Sequence, residues 1–286
     1  MRKISYLIYK IIFLIDLILK KLFKKSFLIF FKDFFEINAY EEVVISKKKI
    51  KFFTPNDIVK WRIDSLYTKE PETLEWIDSF NYKDEIIFWD IGANIGLYSV
   101  YASQKHKNIK VFSFEPSTSN LRILSRNISL NNLEEKIIIN QFPLCDKSNE
   151  YLLMQESEFI EGWSMNAFGE NTDFEGNKFK PKNKYKVLGT SINYLLKNKI
   201  LEIPNYIKID VDGIEHLILK GGMDFLMDKK IKSISIELNE NYKDQYNKVL
   251  NIMKVSNFKF KHKKHSKEFD KSEKFSKLYN FVFEKN

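Results

Sequence analysis

The first group of residues that could bind a ligand lies in the segment 90–96, where Asp90 precedes Gly92, Asn94 and Gly96. Glycine lets the backbone approach a ligand closely and adopt a positive φ, and asparagine is among the few other residues that tolerate this conformation. A dinucleotide site would need the spacing G-x-G-x-x-G, and the preceding carboxylate would repel its pyrophosphate. The observed spacing instead suits a cationic ligand such as S-adenosyl-L-methionine, which carries an ammonium and a sulfonium group.

Two further carboxylates, Glu115 and Asp146, follow later apolar runs. Glu115 stands where a carboxylate can accept hydrogen bonds from the ribose hydroxyls of either a nicotinamide cofactor or S-adenosyl-L-methionine. Its alternative role is that of an acid in the first turn of the following helix. Asp146 could accept the adenine amino group, and it could equally be a turn residue.

A third group, Asp210, Asp212 and Glu215, could act on an acceptor. Asp210 ends an apolar run, where a carboxylate could orient or deprotonate a hydroxyl, and His216 and His106 are alternative bases. We expect burial and acidic neighbours to raise the pKa of Asp210. Asp212 and Glu215 stand at the spacing of a capping box, so their alternative role is to begin a helix.

Metal ligands are few in this sequence. The single cysteine, Cys145, excludes a disulfide framework and cysteine-rich zinc sites, and we interpret it as a small buried residue. His262 and His265 are spaced loosely like a metal pair, but no third ligand stands nearby. The carboxylates at 210–215 could together hold one divalent cation. We predict no metal site.

Apolar runs of strand length must position these groups. They occur at 86–91, 110–114, 136–140, 206–209 and 233–238. They alternate with helical patterns, which predicts an α/β fold with a doubly wound, largely parallel sheet. Because such sheets bind ligands at the carboxyl ends of their strands, we expect the glycine and acidic residues to meet at one edge.

We divide the chain into an amphipathic basic N-terminal helix over 1–35, a helical extension over 36–80 and a main domain over 81–286. In the main domain, the stretch 155–186 is rich in glycine, asparagine and lysine, and we predict it to be a loop beside the acceptor. The stretch 261–278 is predicted as a lysine-rich loop between two strand-like runs.

The formal charge of +9 on the 286 residues is concentrated at the two ends of the chain. Segments 1–35 and 254–286 each carry +6, so the residues between them carry −3. Only four of the 47 basic residues are arginine, the side chain best suited to bidentate recognition of guanine and phosphate. A slightly acidic body with two basic ends therefore predicts no nucleic-acid partner.

Residues 1–35 carry an amphipathic helical pattern. Its apolar residues are Ile4, Ile8, Ile11, Ile15, Ile18 and Leu22. Three interpretations remain open: a helix in a membrane interface with lysines toward anionic headgroups, a helix packed on the main domain or a second subunit, and a marginal transmembrane anchor. Lys10 and Asp16 interrupt the run, which falls short of the ~20 residues that a span needs. We expect a cytoplasmic protein with peripheral contact to the inner face of a membrane through 1–35.

Several motifs together resemble the FkbM-type methyltransferases. They are FWDIGANIGLYSVYA, VFSFEPSTSNLRILSRNISLNNL, IKIDVDGIEHLILKGG, SISIELNE and YNFVFEK. The resemblance covers residues 84–286 and implies a class I, Rossmann-like fold with a mostly parallel seven-stranded sheet. It also implies S-adenosyl-L-methionine as the cofactor. One departure is Asn193, which stands where the family often has an aspartate.

The resemblance also assigns roles to the residues singled out above. It implies that the methionine part of the cofactor is bound by Asp90, Gly92, Asn94 and Gly96. It implies that Glu115 binds the ribose. It also implies that the residues beside the acceptor are Asp210, Asp212 and Glu215. The adenine contact of Asp146 rests on its position alone.

One leading hypothesis and two alternatives follow. The resemblance implies an O-methyltransferase acting on a hydroxyl of a sugar in a surface glycan or lipid-linked saccharide, with Asp210 as the base. A nicotinamide-dependent oxidoreductase would keep Glu115 but conflicts with Asp90 and the glycine spacing. A non-catalytic membrane adaptor on a methyltransferase fold is the other alternative. The acceptor and the oligomeric state stay open.

Overall fold

The computed structural model describes residues 1–81, 83–267 and 269–285. The helices are α1 (Arg2–Phe23), α2 (Leu28–Ile37), α3 (Asp57–Asp64), α4 (Pro71–Asp78), α5 (Leu97–Lys105), α6 (Thr118–Leu130), α7 (Ile192–Lys197), α8 (Glu215–Lys220), α9 (Met223–Leu226) and α10 (Lys243–Val255). The strands are β1 (Tyr40–Ile45), β2 (Lys48–Phe53), β3 (Ile86–Ile91), β4 (Ile109–Phe114), β5 (Ile137–Asn140), β6 (Glu150–Glu156), β7 (Asn166–Phe168), β8 (Asn183–Gly189), β9 (Tyr206–Ile209), β10 (Ser233–Asn239), β11 (Lys259–Lys264) and β12 (Leu278–Glu284). A single 3-10 turn spans Phe269–Lys271.

Seven strands form the central sheet in the order β11-β12-β10-β9-β3-β4-β5. The strands β3, β4, β5, β9 and β10 are parallel, and β12 is antiparallel to both of its neighbours. Every residue of β3 and β9 is buried, which matches the continuous apolar composition of strands that are covered on both faces. The predicted α/β fold with a mostly parallel seven-stranded sheet is therefore confirmed.

The order of the strands determines where a ligand can bind. The chain winds from β3 through β4 to β5 on one side of the sheet and continues through β9 and β10 on the other. A crevice forms at the carboxyl ends of the strands where the order reverses, here between β3 and β9. The register pairs Ile91 with Ile209, so the residues that follow these two strands meet at the same edge.

Helices cover both faces of the sheet, and successive residues of β3 point into two separate cores. Phe88 packs with Trp76 of α4 and with residues of α5 and α6 on one face. Trp89 packs on the other face, in the core that contains residues of α7, α8, α9 and α10. Strand ends that are anchored in two cores give the site a rigid base.

The segment 36–80, predicted as a helical extension, is helical only in its second half. There α4 begins at Pro71, as the sequence indicates. The first half forms a hairpin of β1 and β2 with the two-residue turn Ser46-Lys47, both at positive φ. Turns of this kind normally contain asparagine or glycine, so this one carries no sequence signal, and the helical prediction is wrong here.

The hairpin is held on α6 by Asn127, whose side chain is fully buried. Its Oδ1 accepts a hydrogen bond from the backbone N–H of Phe53 at 2.9 Å, and its Nδ2 donates to the carbonyl of Ile95 at 2.9 Å. Because Ile95 belongs to the glycine-rich segment 90–96, Asn127 connects the hairpin to the turn that follows β3.

Two segments predicted as loops contain strands. Residues of 155–186 contribute to a three-stranded antiparallel sheet in which β6 lies between β7 and β8. The three-residue strand β7 lies between segments that are rich in glycine and asparagine, and this composition hides its strand pattern. In 261–278, β11 continues to Lys264 as an edge strand. Exposed lysines are common on edge strands because they discourage pairing with other chains, so they do not mark a loop.

The N-terminal arm, predicted as one helix, forms two. Lys24 follows α1 in the left-handed conformation with φ 53°, and α2 begins four residues later. The Asp16 carboxylate accepts hydrogen bonds from the Phe27 N–H at 2.7 Å and the Ser26 hydroxyl at 2.9 Å, so it caps the start of α2. Within the part of the chain that the structure describes, no helix is both long enough and apolar enough to cross a membrane.

Candidate active site

A cavity of about 280 Å³ opens at the carboxyl ends of β3, β4 and β9. This volume is close to the lower end of the range for small-molecule sites, ~300–1,000 Å³. Five of the nine predicted site residues line it: Gly92, Asn94, Glu115, Asp210 and Asp212. The other four, which do not line it, are Asp90, Gly96, Asp146 and Glu215.

The turn after β3 brings its backbone against the end of β9. A Cβ atom on Gly92, which has φ 86°, would lie 1.8 Å from the backbone oxygen of Asp210, so only glycine fits. Asn94 has φ 50°, and its Nδ2 donates to the Trp163 carbonyl at 3.1 Å. Its buried Oδ1 has no hydrogen-bond partner among the described residues and remains free for a donor. Gly96 precedes α5 and contacts Leu124 rather than the cavity.

Asp90 lies inside β3, beneath the cavity rather than in it. Its Oδ2 accepts a hydrogen bond from Ser99 at 2.6 Å, and Ser99 is 2.7 Å from the hydroxyl of Ser113. Burial raises the pKa of Asp90, although the positive charge of Lys208 opposes this. The structure thus gives Asp90 a supporting place between β3, β4 and α5, away from the predicted methionine contact.

Glu115 is buried at the floor of the cavity and is fixed by two backbone groups. Its Oε2 accepts from the N–H of Asn94 at 2.7 Å, and its Oε1 accepts from the N–H of Ser117 at 2.8 Å. Burial raises its pKa to about 7 in spite of these hydrogen bonds. Each carboxylate oxygen can accept a second hydrogen bond, so two ribose hydroxyls could still be bound.

Asp146 forms an ion pair with Lys220 at 2.7 Å, outside the cavity. The neighbouring Pro143 and Leu144 do line the cavity, together with Phe114 and Ile218. These side chains form an apolar wall of the kind that encloses an aromatic ring in small-molecule sites. The structure therefore offers an adenine ring this wall and not the Asp146 carboxylate.

Asp210 lies against a buried lysine that the sequence analysis missed. Lys208 is 1% exposed, its Nζ is 2.6 Å from Asp210 Oδ2, and it lies 4.9 Å from the centre of the Tyr98 ring. Burial alone would raise the pKa of Asp210, but the charges of Lys208 and Lys69 lower it to about 2. The expectation of a raised pKa is therefore wrong, because the neighbours that dominate are cationic.

Further charged residues surround Asp210. Glu70 accepts a hydrogen bond from the Tyr98 hydroxyl at 2.8 Å and pairs with Lys69. Carboxylate oxygens of Glu70, Asp210 and Glu237 lie within 4.8 Å of one another. Burial and these acidic neighbours raise the pKa of Glu237 well above its usual value. In this cluster Lys69 pairs with Glu70, and Lys208 pairs with Asp210.

Asp212 and Glu215 do not form the predicted capping box. Asp212 adopts φ 61°, and its Oδ2 accepts from the N–H of Met165 at 2.7 Å across the cavity wall. Burial and the charge of Asp210 raise its pKa to about 6. Glu215 is buried behind the cavity, where it accepts from Gln245 at 2.5 Å and from the N–H of Gly213 at 3.3 Å. Glu215 thus supports the 210–213 turn instead of facing an acceptor.

The segment around Trp163 closes one side of the cavity. The Trp163 carbonyl accepts hydrogen bonds from Asn94 and Asn120, and its Nε1 donates to Ser157 at 2.8 Å. Asn166 also lines the cavity, and its buried Oδ1 is without a partner among the described residues. These contacts connect the three-stranded sheet of β6, β7 and β8 to the glycine-rich turn.

The remaining residues considered from the sequence lie elsewhere. Cys145 is buried, as predicted, and burial raises its pKa. His106 Nε2 is 2.8 Å from the Ile77 carbonyl, and neither His106 nor His216 lines the cavity. His265 contacts Asp270 and the Leu278 carbonyl at 2.9 Å each.

The groups that line the cavity fit S-adenosyl-L-methionine. The free Oδ1 of Asn94 suits an ammonium donor, the Glu115 carboxylate suits ribose hydroxyls, and the wall around Leu144 suits the adenine ring. Fold and site together define an α/β protein of the methyltransferase class.

Comparison with known proteins identifies the family. The model of the methyltransferase FkbM domain matches residues 90–264, and the chain belongs to this family. It therefore carries a methyltransferase domain with S-adenosyl-L-methionine as its cofactor, which decides against the oxidoreductase alternative for this domain. Among characterised proteins, methyltransferase sdnD of Sordaria araneosa is 28% identical over 172 residues, which cover 54% of this chain and 66% of sdnD. The match thus spans slightly less than two thirds of that relative.

Two solved structures illustrate the similarity in fold. Precorrin-6y C5,15-methyltransferase from Geobacter metallireducens aligns over 76% of this chain and 87% of its own, with a TM-score of 0.43 and 14% identity. M. capricolum TrmK, solved with S-adenosyl-homocysteine, aligns over 74% of this chain and 67% of its own, with a TM-score of 0.41 and 15% identity.

Proposed function

We propose that this methyltransferase transfers the methyl group to a hydroxyl of a sugar in a surface glycan or lipid-linked saccharide. The observation that carries the proposal is the carboxylate of Asp212, which lines the cavity with a pKa raised to about 6. A hydroxyl must lose its proton when it is methylated, and a base whose pKa is near the working pH is the most effective. Asp212 has this property.

Asp212 is a better candidate for the base than Asp210. The pKa of Asp210 is lowered to about 2, and its Oδ2 is engaged by the ammonium group of Lys208. A carboxylate of such low basicity has little driving force to take a proton. We therefore assign the proton acceptor to Asp212, with burial and the negative charge of Asp210 raising its pKa and with Lys208 as the partner of Asp210.

The rest of the cavity suits a molecule with both hydroxyl groups and apolar ring faces. Trp61, Phe269 and Phe275 contribute aromatic surface, while Arg62 and the free Oδ1 of Asn166 contribute polar groups. Small-molecule sites combine apolar walls with a few polar groups that fix orientation. A sugar ring offers this combination, with C–H groups on its faces and hydroxyls at its rim.

The chemistry needs alignment more than further catalysis. When bound, S-adenosyl-L-methionine would supply an electrophilic methyl group to the acceptor oxygen, with its sulfur as the leaving group. Asp212 receives the hydroxyl proton. The Gly92 turn and Glu115 hold their side of the cavity rigid, because correct placement of reacting groups provides much of the rate.

The test uses saccharides from cells that lack the protein. Surface glycans and lipid-linked saccharides are incubated with purified enzyme and S-adenosyl-L-methionine that carries an isotopic label in its methyl group. We expect the label in an O-methyl ether of a sugar, identified by mass spectrometry after hydrolysis. Label on nitrogen or carbon, or in the lipid alone, would contradict the proposal.

A variant separates the role of Asp212 from folding. Asp212→Asn should bind the cofactor with the parent affinity in calorimetry but lose the label in the saccharide fraction. The matched control is Asp224→Asn, which changes an exposed aspartate on α9 and should label the fraction as the parent does.

A further inference from the structure

The apolar stripe of α1 is exposed along its entire length. Its six members, Ile4, Ile8, Ile11, Ile15, Ile18 and Leu22, are each between 47% and 68% exposed. On α2, Phe30, Phe34 and Ile37 recur at spacings of four and three, and all are more than half exposed. Exposed apolar surface of this extent on adjoining helices marks a contact with a partner or a membrane.

Lysines follow the stripe along one edge. Lys3, Lys10 and Lys21 are separated by seven and eleven residues, which correspond to about two and three helical turns, so they lie on one line of α1. All three are exposed. A helix with an apolar face bordered by lysines matches the two layers of a membrane interface, acyl chains below and anionic headgroups above.

Asp16, which seemed to interrupt the helix in the sequence, does not disturb this face. Its carboxylate is buried and accepts hydrogen bonds from Ser26, Phe27 and Leu28 at the start of α2. Although burial opposes it, these hydrogen bonds hold the pKa of Asp16 below its usual value. The acid therefore connects α1 to α2 and is not presented to the surroundings.

We propose that α1 and α2 form a docking surface for the surface of an anionic lipid bilayer. The charge of the arm favours this occupant over a second copy of the chain. Residues 1–35 carry +6, so a symmetric contact between two arms would bring like charges together, whereas anionic headgroups would neutralise them.

The arm is attached close to the cavity. Glu36 of α2 pairs with Arg122 of α6 at 2.7 Å, and Arg122 also pairs with Glu161 at 3.1 Å. Glu161 lies two residues before Trp163, which lines the cavity. A bilayer that binds the arm would thus lie near the wall of the cavity, although the docking proposal holds whatever the acceptor is.

The experiment is co-sedimentation of the full-length protein with vesicles. One set contains phosphatidylcholine alone, and the other contains phosphatidylcholine with phosphatidylglycerol. We expect binding to the anionic vesicles that weakens as salt is added, and much weaker binding to the neutral vesicles. Absence of the parent protein from the anionic vesicle pellet would overturn the proposal.

Two pairs of substitutions on α1 locate the surface. Lys3→Gln with Lys21→Gln should weaken binding to anionic vesicles about thirty-fold, from about five-fold for each lysine near the headgroups. Ile8→Gln with Ile15→Gln should weaken it at least about a hundred-fold, because two buried apolar side chains are lost.

Controls match each pair in charge or apolar character and in exposure. Lys229→Gln with Lys230→Gln and Ile200→Gln with Val255→Gln change exposed residues outside the arm and should leave vesicle binding unchanged. Cofactor affinity by calorimetry confirms that each variant is folded. If the Ile8 and Ile15 substitutions dissociate a dimer in light scattering and leave vesicle binding intact, the surface is a subunit interface and the proposal is wrong.

Discussion

Replacement of Lys208 by methionine tests the buried charges beside the cavity. Lys208 is 1% exposed, and its ammonium group is 2.6 Å from the Asp210 carboxylate. Methionine retains the length of the aliphatic chain but leaves Asp210 as a buried charge without its nearest partner. Breaking a buried ion pair in this way costs about 3–5 kcal/mol of the free energy of unfolding.

The pH dependence of the free energy of unfolding provides a second test of this ion pair. In the parent protein, the pKa of Asp210 is about 2 rather than 3.8, so ionised Asp210 contributes about 2 kcal/mol of stability above pH 3.8, which is lost as pH falls toward 2. Without Lys208, the pKa of Asp210 should rise, because burial is then opposed mainly by the charge of Lys69. The loss in free energy of unfolding of Lys208→Met, relative to the parent, should therefore be largest at neutral pH. It should become smaller as pH falls and Asp210 takes up a proton.

Urea unfolding from pH 8 down to about pH 3 measures these effects, and Lys110→Met is the matched control. Lys110 forms an ion pair of similar length, 2.7 Å to Glu202, but both side chains are more exposed, so we expect a loss below about 1 kcal/mol. The double variant Lys208→Met with Asp210→Asn should recover part of the lost stability. A free energy of unfolding of Lys208→Met within about 1 kcal/mol of the parent value would refute this account of the ion pair. The same holds if the double variant recovers none of the lost stability.

Two further predictions concern the cofactor and the hairpin. Glu115→Gln should weaken binding of S-adenosyl-L-methionine about 10- to 100-fold in calorimetry, the value of hydrogen bonds to a charged group, whereas Glu134→Gln at an exposed position should not. Because the pKa of Glu115 is about 7 and the ionised form accepts the ribose hydroxyls, the affinity of the parent should rise as pH increases through 7, and a flat profile would contradict this. Asn127→Ala should lower the free energy of unfolding by about 2–4 kcal/mol in urea titrations, because it leaves the N–H of Phe53 and the carbonyl of Ile95 unpaired; a loss below about 1 kcal/mol would contradict the role given to Asn127.

The sequence predicts the central sheet well because its strands are buried on both faces. The runs at 86–91 and 206–209 are continuous and apolar, and they coincide with β3 and β9. The hairpin of β1 and β2 escapes prediction because its turn residues, Ser46 and Lys47, are unusual at positive φ. The three-stranded sheet of β6, β7 and β8 escapes because β7 has only three residues and β8 is only partly buried.

The site is predictable where it depends on position along a strand. Gly92, Glu115 and Asp210 follow strand ends, and the sheet brings them to one cavity. The positions of Asp90 and Glu215 depend on the direction of each side chain, which residue type does not give. Lys208 stands inside an apolar run, and a charged residue at such a place was the available signal that a buried partner must exist.

The most direct measurement of the central claim is the methyl content of surface glycans from cells that lack the protein and are complemented with single variants. Mass spectrometry should find one sugar O-methyl ether restored by the parent and by Asp224→Asn but not by Asp212→Asn, with all three proteins present at equal levels. Glycans that are identical with and without the protein, or full restoration by Asp212→Asn, would contradict the account.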